Sequence, residues 1–111
     1  LDDGRVQQWL EIGPSDGRPV LFCHGGNDCR LEALWISEAV QRAGVRLITP
    51  DRPGFAGSTH HSERTFSTWV DDAIGLLDHL GLQQVDVLGL SGGGPHALAV
   101  AAQYISRLGI L

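Results

Sequence analysis

The chain has 111 residues, enough for one domain of ordinary size, and its 42% apolar and 19% charged residues are those of a soluble globular protein. No apolar run approaches the roughly 20 residues that a membrane-spanning helix needs. The net charge of −5, with eight scattered arginines and no lysine, offers no basic stripe for nucleic acid.

From the N-terminus, Val6, Leu10 and Ile12 alternate within RVQQWLEIG (5–13), the period-2 pattern of a strand, and PSDG then makes a turn. PVLFCHGG (19–26) is a short continuous apolar run ending in glycines, as expected of a strand buried on both faces. Leu31, Leu34, Trp35, Ala39 and Val40 give helical spacing from about Arg30 to Ala43, and Gly44 is placed to stop that helix. Cys23 and Cys29 are the only cysteines, too few for a zinc site or a disulfide framework. They read as small hydrophobes in a reducing, cytoplasmic compartment.

VRLITP (45–50) predicts the third strand, followed by the loop DRPGFAGSTHHSER (51–64). Phe66, Trp69, Val70, Ala73, Ile74, Leu77 and Leu80 form one stripe at 3.6 spacing, with Thr65 or Ser67 to cap its start and Gly81 past its end. QVDVLGL (84–90) predicts a strand, GGPHALAVAAQY (93–104) a helix, and LGIL (108–111) the opening of another strand. Strand–helix alternation with near-continuous apolar strands predicts an α/β fold, a mostly parallel sheet flanked by helices in three layers. No repeat, linker or low-complexity segment interrupts it. The sequence stops inside an apolar strand, which would leave a bare sheet edge, and it has no methionine even at Leu1. Both features suggest a piece of a longer polypeptide, one that alone is inactive and poorly soluble.

Gly89-Leu90-Ser91-Gly92-Gly93 matches G-x-S-x-G between a predicted strand and a predicted helix. A tight strand-to-helix turn forces such a serine to positive φ, and glycines two residues either side relieve the crowding. Ser91 Oγ would then stand above the carboxyl ends of the strands, facing the amides of the following helix. His24-Gly25-Gly26 ends the second strand on the same rim. There the N–H of Gly26, with Asn27 as the alternative, could join that of Gly92 in holding a developing oxyanion. Asp51 to Ser58 brings a third glycine-bearing loop to this place, with Asp51 tying down its own turn.

These stretches resemble the N-terminal half of an α/β-hydrolase: His24-Gly25-Gly26 the oxyanion loop, Asp51-Arg52-Pro53-Gly54 with Gly57-Ser58 the DRPGxGxS turn, and Gly89 to Gly93 the nucleophile elbow. One departure is Ala56-Gly57 where that turn has glycine first, with the spacing kept. The resemblance implies a Ser–His–acid triad in that chain order, with Ser91 as nucleophile and the acid and histidine beyond this chain. It implies hydrolysis of an ester or related acyl bond in a small-molecule substrate, with no cofactor, metal, nucleic acid or membrane partner. It also implies that the rest of the domain, or a second chain, covers the sheet edge. Serine at the elbow disfavours the epoxide hydrolases and haloalkane dehalogenases, which use aspartate there, and leaves cofactor-free peroxidase or carbon–carbon hydrolase activity open.

Three other readings compete. Ser91 could merely cap a helix. Gly92-Gly93-Gly94-Pro95-His96-Ala97 also fits G-x-G-x-x-[GA], a dinucleotide-binding fingerprint, although that pattern normally follows the first strand of its unit. The chain could also be a non-catalytic α/β-hydrolase-like binding module or an inactive fragment. Of the histidines, His24 is expected to order its own loop, His96 to pack against the sheet and His79 to face solvent. His60 and His61 lie in a polar loop, and none of the five is expected to serve Ser91 as base.

Overall fold

The computed structural model describes residues 1–103. In chain order these form β1 (Trp9–Ile12), β2 (Arg18–Cys23), a 3-10 turn (Arg30–Ile36), α1 (Ser37–Arg42), β3 (Val45–Pro50), α2 (Phe66–His79), β4 (Asp86–Gly89) and α3 (Gly93–Gln103). The sheet runs β1-β3-β2-β4. β2 pairs in parallel with β3 and β4, because helical crossovers return the chain in the same direction. The carboxyl ends of these three strands therefore share one rim. β1 is the antiparallel member of this mostly parallel sheet: it runs against β3, with Trp9 opposite Pro50 and Ile12 opposite Leu47.

Both faces of the sheet are covered, which explains why the central strands are apolar without alternation. Leu21 and Cys23 point to one side, where Trp69, Val70, Ala73 and Leu77 of α2 and Val100 of α3 bury them. Phe22 and Leu47 point to the other and meet Ile12, Ala33 and Val40.

α2 matches its sequence signals at both ends. Thr65 and Thr68 satisfy each other's backbone N–H in a reciprocal capping box. At the far end Gly81 sits at φ 71°, its N–H bonding to Asp78 O, while Leu82 N–H reaches back to Leu77 O. This is the Schellman pattern, which needs a left-handed residue where Gly81 stands. The stripe is shifted a little: Phe66 is half exposed, while Leu76 and Asp72 are buried.

Two segments differ from expectation. Residues 5–8 do not belong to β1. Arg5 instead forks onto the Asp72 carboxylate at 2.9 and 2.7 Å, and Val6 and Thr59 exchange hydrogen bonds, leaving Val6 exposed. Residues 30–43 do not make one α-helix. The segment begins as a 3-10 turn because it is fastened to the sheet: Arg30 N–H donates to Asp51 Oδ1 at 2.7 Å, and Thr49 Oγ1 donates to Arg30 O at 3.3 Å. That winding turns Ala33 inward and leaves Leu31, Leu34 and Trp35 exposed. The expected strand at 108–111 and the end of the last helix at Tyr104 lie outside the described residues. Among the described residues no helix is long and apolar enough to cross a membrane.

Candidate functional site

Between β4 and α3 the chain reverses within a few residues. Leu90 N–H bonds to Cys23 O at 3.2 Å, and Gly93 and Gly94 N–H turn back to Leu90 O and Ser91 O at 2.8 and 3.0 Å. Ser91, at the apex, has φ 52°, a left-handed conformation that costs a non-glycine residue about 1–2 kcal/mol. Crowding enforces it. A β-carbon at Gly93 would lie 1.9 Å from Cys23 O, and one at Gly89 would lie 2.7 Å from Gly93 O. The turn can close only because both positions lack side chains. Ser91 itself is exposed, and its hydroxyl has no hydrogen-bond partner among the described residues.

Gly92, the next residue, abuts the loop that follows β2. A β-carbon on Gly92 would lie 2.9 Å from Gly26 N. Neither the Gly26 nor the Gly92 N–H has an acceptor among the described residues. Gly92 directly precedes α3, where amides without acceptors are of the kind that stabilises negative charge.

The loop carrying Gly26 is held by buried polar groups. His24 Nδ1 lies 2.8 Å from Gly25 O, while its Nε2 accepts the Arg52 N–H at 3.1 Å. That pairing makes His24 a neutral ring with its proton on Nδ1. Burial also pushes its pKa below the ordinary histidine value, the charged Arg52 adding to the effect and the Gly25 carbonyl opposing it. The Arg52 guanidinium donates to His24 O and Gly25 O and packs over the Phe55 ring. The third rim loop is fastened by Asp51, buried, which accepts from Arg30 N, Arg30 Nη1 and Gly57 N at 2.7, 2.5 and 3.1 Å. Its expected role in its own turn holds, and it ties in the 3-10 turn as well.

Gly26 and Gly92 line a cleft of about 350 Å³ with Arg52, Phe66, Trp69 and His96. Ser91 directly precedes Gly92 in the chain but is not among the residues that line this cleft. A larger hollow of about 600 Å³, lined by Asp3, Arg5, Trp9, Asp72 and His79, contains none of the rim glycines. His96 differs from expectation: it packs not on the sheet but edge-on against Phe66 and Trp69, with Nδ1 2.9 Å from Gly92 O. Burial lowers its pKa too, with Gly92 O opposing. His79 is exposed and meets Trp9 edge-on at 5.8 Å. His60 lies beside Arg64, and His61 accepts the Glu63 N–H. No cluster among the described residues could hold a metal ion. Sequence reasoning missed Glu32, which accepts the Gly25 N–H at 2.8 Å, and the grip of Arg52 on the loop carbonyls. The adjacency of Arg52 to Asp51 was a signal for the second; nothing local marks the first.

The sequence matches the family described as alpha/beta hydrolase fold over residues 18–109. It is 30% identical over 109 residues to the uncharacterized hydrolase YcgS of Bacillus subtilis, covering 98% of this chain and 37% of that one. It is 35% identical over 96 residues to a 2-hydroxymuconate semialdehyde hydrolase of Pseudomonas putida, covering 84% of this chain and 34% of the relative. Among solved structures, a malate-bound thermophilic esterase from Thermogutta terrifontis superposes with a TM-score of 0.84 at 34% identity, over 94% of this chain and 38% of its own. The chain thus spans about a third of the length of the curated relatives it matches.

Proposed function

The chain belongs to the α/β-hydrolase fold family, and from that premise we propose that it carries the nucleophile and the oxyanion site of a serine hydrolase acting on an ester or related acyl bond of a small molecule. Ser91 Oγ attacks the carbonyl carbon while its proton passes to a histidine outside this chain. The electron pair displaced onto the carbonyl oxygen is held by the N–H groups of Gly26 and Gly92. The leaving group departs with that proton, and water then releases the acyl group from Ser91. The observation that carries this reading is Ser91, exposed and held at φ 52° directly before Gly92, whose N–H, like that of the adjoining Gly26, has no acceptor among the described residues. An ordinary helix-capping serine requires no such strain.

The reading takes the base from outside this chain, and the two buried or half-buried rings are committed to structural contacts. His24 has both ring nitrogens engaged, and His96 is boxed between two aromatic rings with Nδ1 on Gly92 O. Two free cysteines fit a cytoplasmic setting, and the rest of a full-length domain would cover β4. No observation favours the dinucleotide reading, since Gly92 and Gly93 serve close packing against the β2 loop.

A fluorophosphonate probe tests the proposal on the full-length protein. We expect covalent labelling at Ser91 that is lost in Ser91→Ala. Absence of labelling in a folded wild-type protein would leave only a binding module.

A further inference from the structure

Given Gly26 as an oxyanion donor, the structure also shows what aims it. We infer that Glu32 and Arg52 are positioning residues for the Gly26 amide, clamping the two peptide groups that precede it. The His24–Gly25 peptide is held at both poles: Glu32 Oε1 accepts the Gly25 N–H at 2.8 Å, and Arg52 Nη1 donates to the His24 carbonyl. The Gly25–Gly26 peptide is held at one pole only, its carbonyl accepting from Arg52 Nη2 at 3.1 Å, with His24 Nδ1 at 2.8 Å and the loop's own Asp28 N–H at 3.3 Å. A trans peptide is planar, and its C=O and N–H point in opposite directions. Pinning the Gly25 carbonyl towards Arg52 therefore fixes the opposite direction of the Gly26 N–H, whose nitrogen lies close against Gly92.

A Gly-Gly step is the backbone with the most freedom to rotate, so its orientation must be imposed from outside. Both clamping groups come from other elements, Glu32 from the 3-10 turn and Arg52 from the loop after β3. The fit is close: a β-carbon at Gly25 would lie 3.1 Å from Glu32 Oε2. Arg52 is buried, and among the described residues no carboxylate lies within ion-pair distance of it. Its guanidinium is committed to two loop carbonyls. Burying that charge is costly, and carbonyl oxygens facing it are what compensates.

The test uses the full-length protein with Glu32→Ala and Glu32→Gln, at a position only partly buried where folding should survive. We expect Glu32→Ala to lower kcat and the rate of fluorophosphonate labelling by roughly tenfold or more, with KM within about twofold, because a misplaced donor loses much of its value. Glu32→Gln keeps an oxygen that can accept the Gly25 N–H and should recover most of the loss. The 15N and 1H chemical shifts of the Gly26 amide give a readout independent of turnover and should move in Glu32→Ala alone. A wild-type labelling rate together with unmoved Gly26 amide shifts in Glu32→Ala, or losses as deep in Glu32→Gln, would overturn the inference. If wild-type Ser91 does not label at all, the nucleophile reading fails instead. The Gly26 amide shifts then decide the clamp by themselves, movement in Glu32→Ala upholding it and no change overturning it.

Discussion

Ser91 and Ala56 are the two non-glycine residues with positive φ among the described residues, and both sit in rim loops. The first is legible in the sequence, because G-x-S-x-G leaves the chain no other way to turn. The second is not. In Phe55-Ala56-Gly57 a left-handed residue would be placed on the glycine, yet Ala56 takes it, at φ 43°. Gly57 serves a different end: a β-carbon there would lie 1.4 Å from Gln8 Oε1 and 3.0 Å from Gln8 Cβ. Strain at Ser91 has a measurable consequence. Replacing serine by glycine removes a left-handed penalty of about 1–2 kcal/mol and adds unfolded-state freedom worth about 0.4–1 kcal/mol, whereas alanine keeps the penalty. Ser91→Gly should therefore be more stable than Ser91→Ala by about 0.5–1 kcal/mol in urea denaturation, with labelling lost in both. Equal midpoints would mean that the turn at Ser91 is unstrained.

The elements divide into those fixed by their own residues and those fixed by neighbours. β2, β3, α2 and the elbow carry local signals of apolar runs, caps and glycines that the fold honours, and they are the legible part. The 3-10 turn and residues 5–8 are set by Asp51, Thr49, Asp72 and Thr59, partners 19 to 67 residues away, further along the chain than any local pattern reaches. The loop after β2 is of the second kind, and its buried histidine makes it sensitive to acid. His24 is neutral in the fold, and a proton on Nε2 would face the Arg52 N–H. Its pKa is lowered, as is that of His96. Above about pH 6.5 folded and unfolded states are both neutral at these rings, so stability is flat there. Below it the unfolded chain binds protons that the folded one refuses, and stability falls until the depressed folded values are passed. The urea midpoint should thus drop between about pH 7.5 and pH 5.5, and His96→Phe, which cannot titrate, should lose part of that drop. An unchanged slope in the variant would remove His96 from the account.

At the scale of the whole molecule the exposed apolar surface is unevenly placed. β4 pairs only with β2 among the described residues, and Leu88 and Leu90 on and beside it are 44% and 49% exposed. Leu98 on α3 is 70% exposed and Trp35 on the 3-10 turn 90%. Scattered apolar residues on a surface need no partner, but an open strand edge bordered by leucines is a template for another chain. In a full-length hydrolase the further strands of the sheet would pair with β4 and cover these side chains. Among the described residues nothing pairs with the outer edge of β4, and the 111-residue chain by itself should self-associate, with a sedimentation coefficient that rises with concentration over the micromolar range. Two charges introduced at the edge, Leu88→Lys and Leu90→Lys, should suppress that rise, since like charges facing across a strand pairing oppose it. If the pair of lysines leaves association unchanged while Trp35→Ser abolishes it, the 3-10 face and not the β4 edge is the adhesive surface. A chain that stays monomeric and unfolds cooperatively would show instead that four strands close this core unaided.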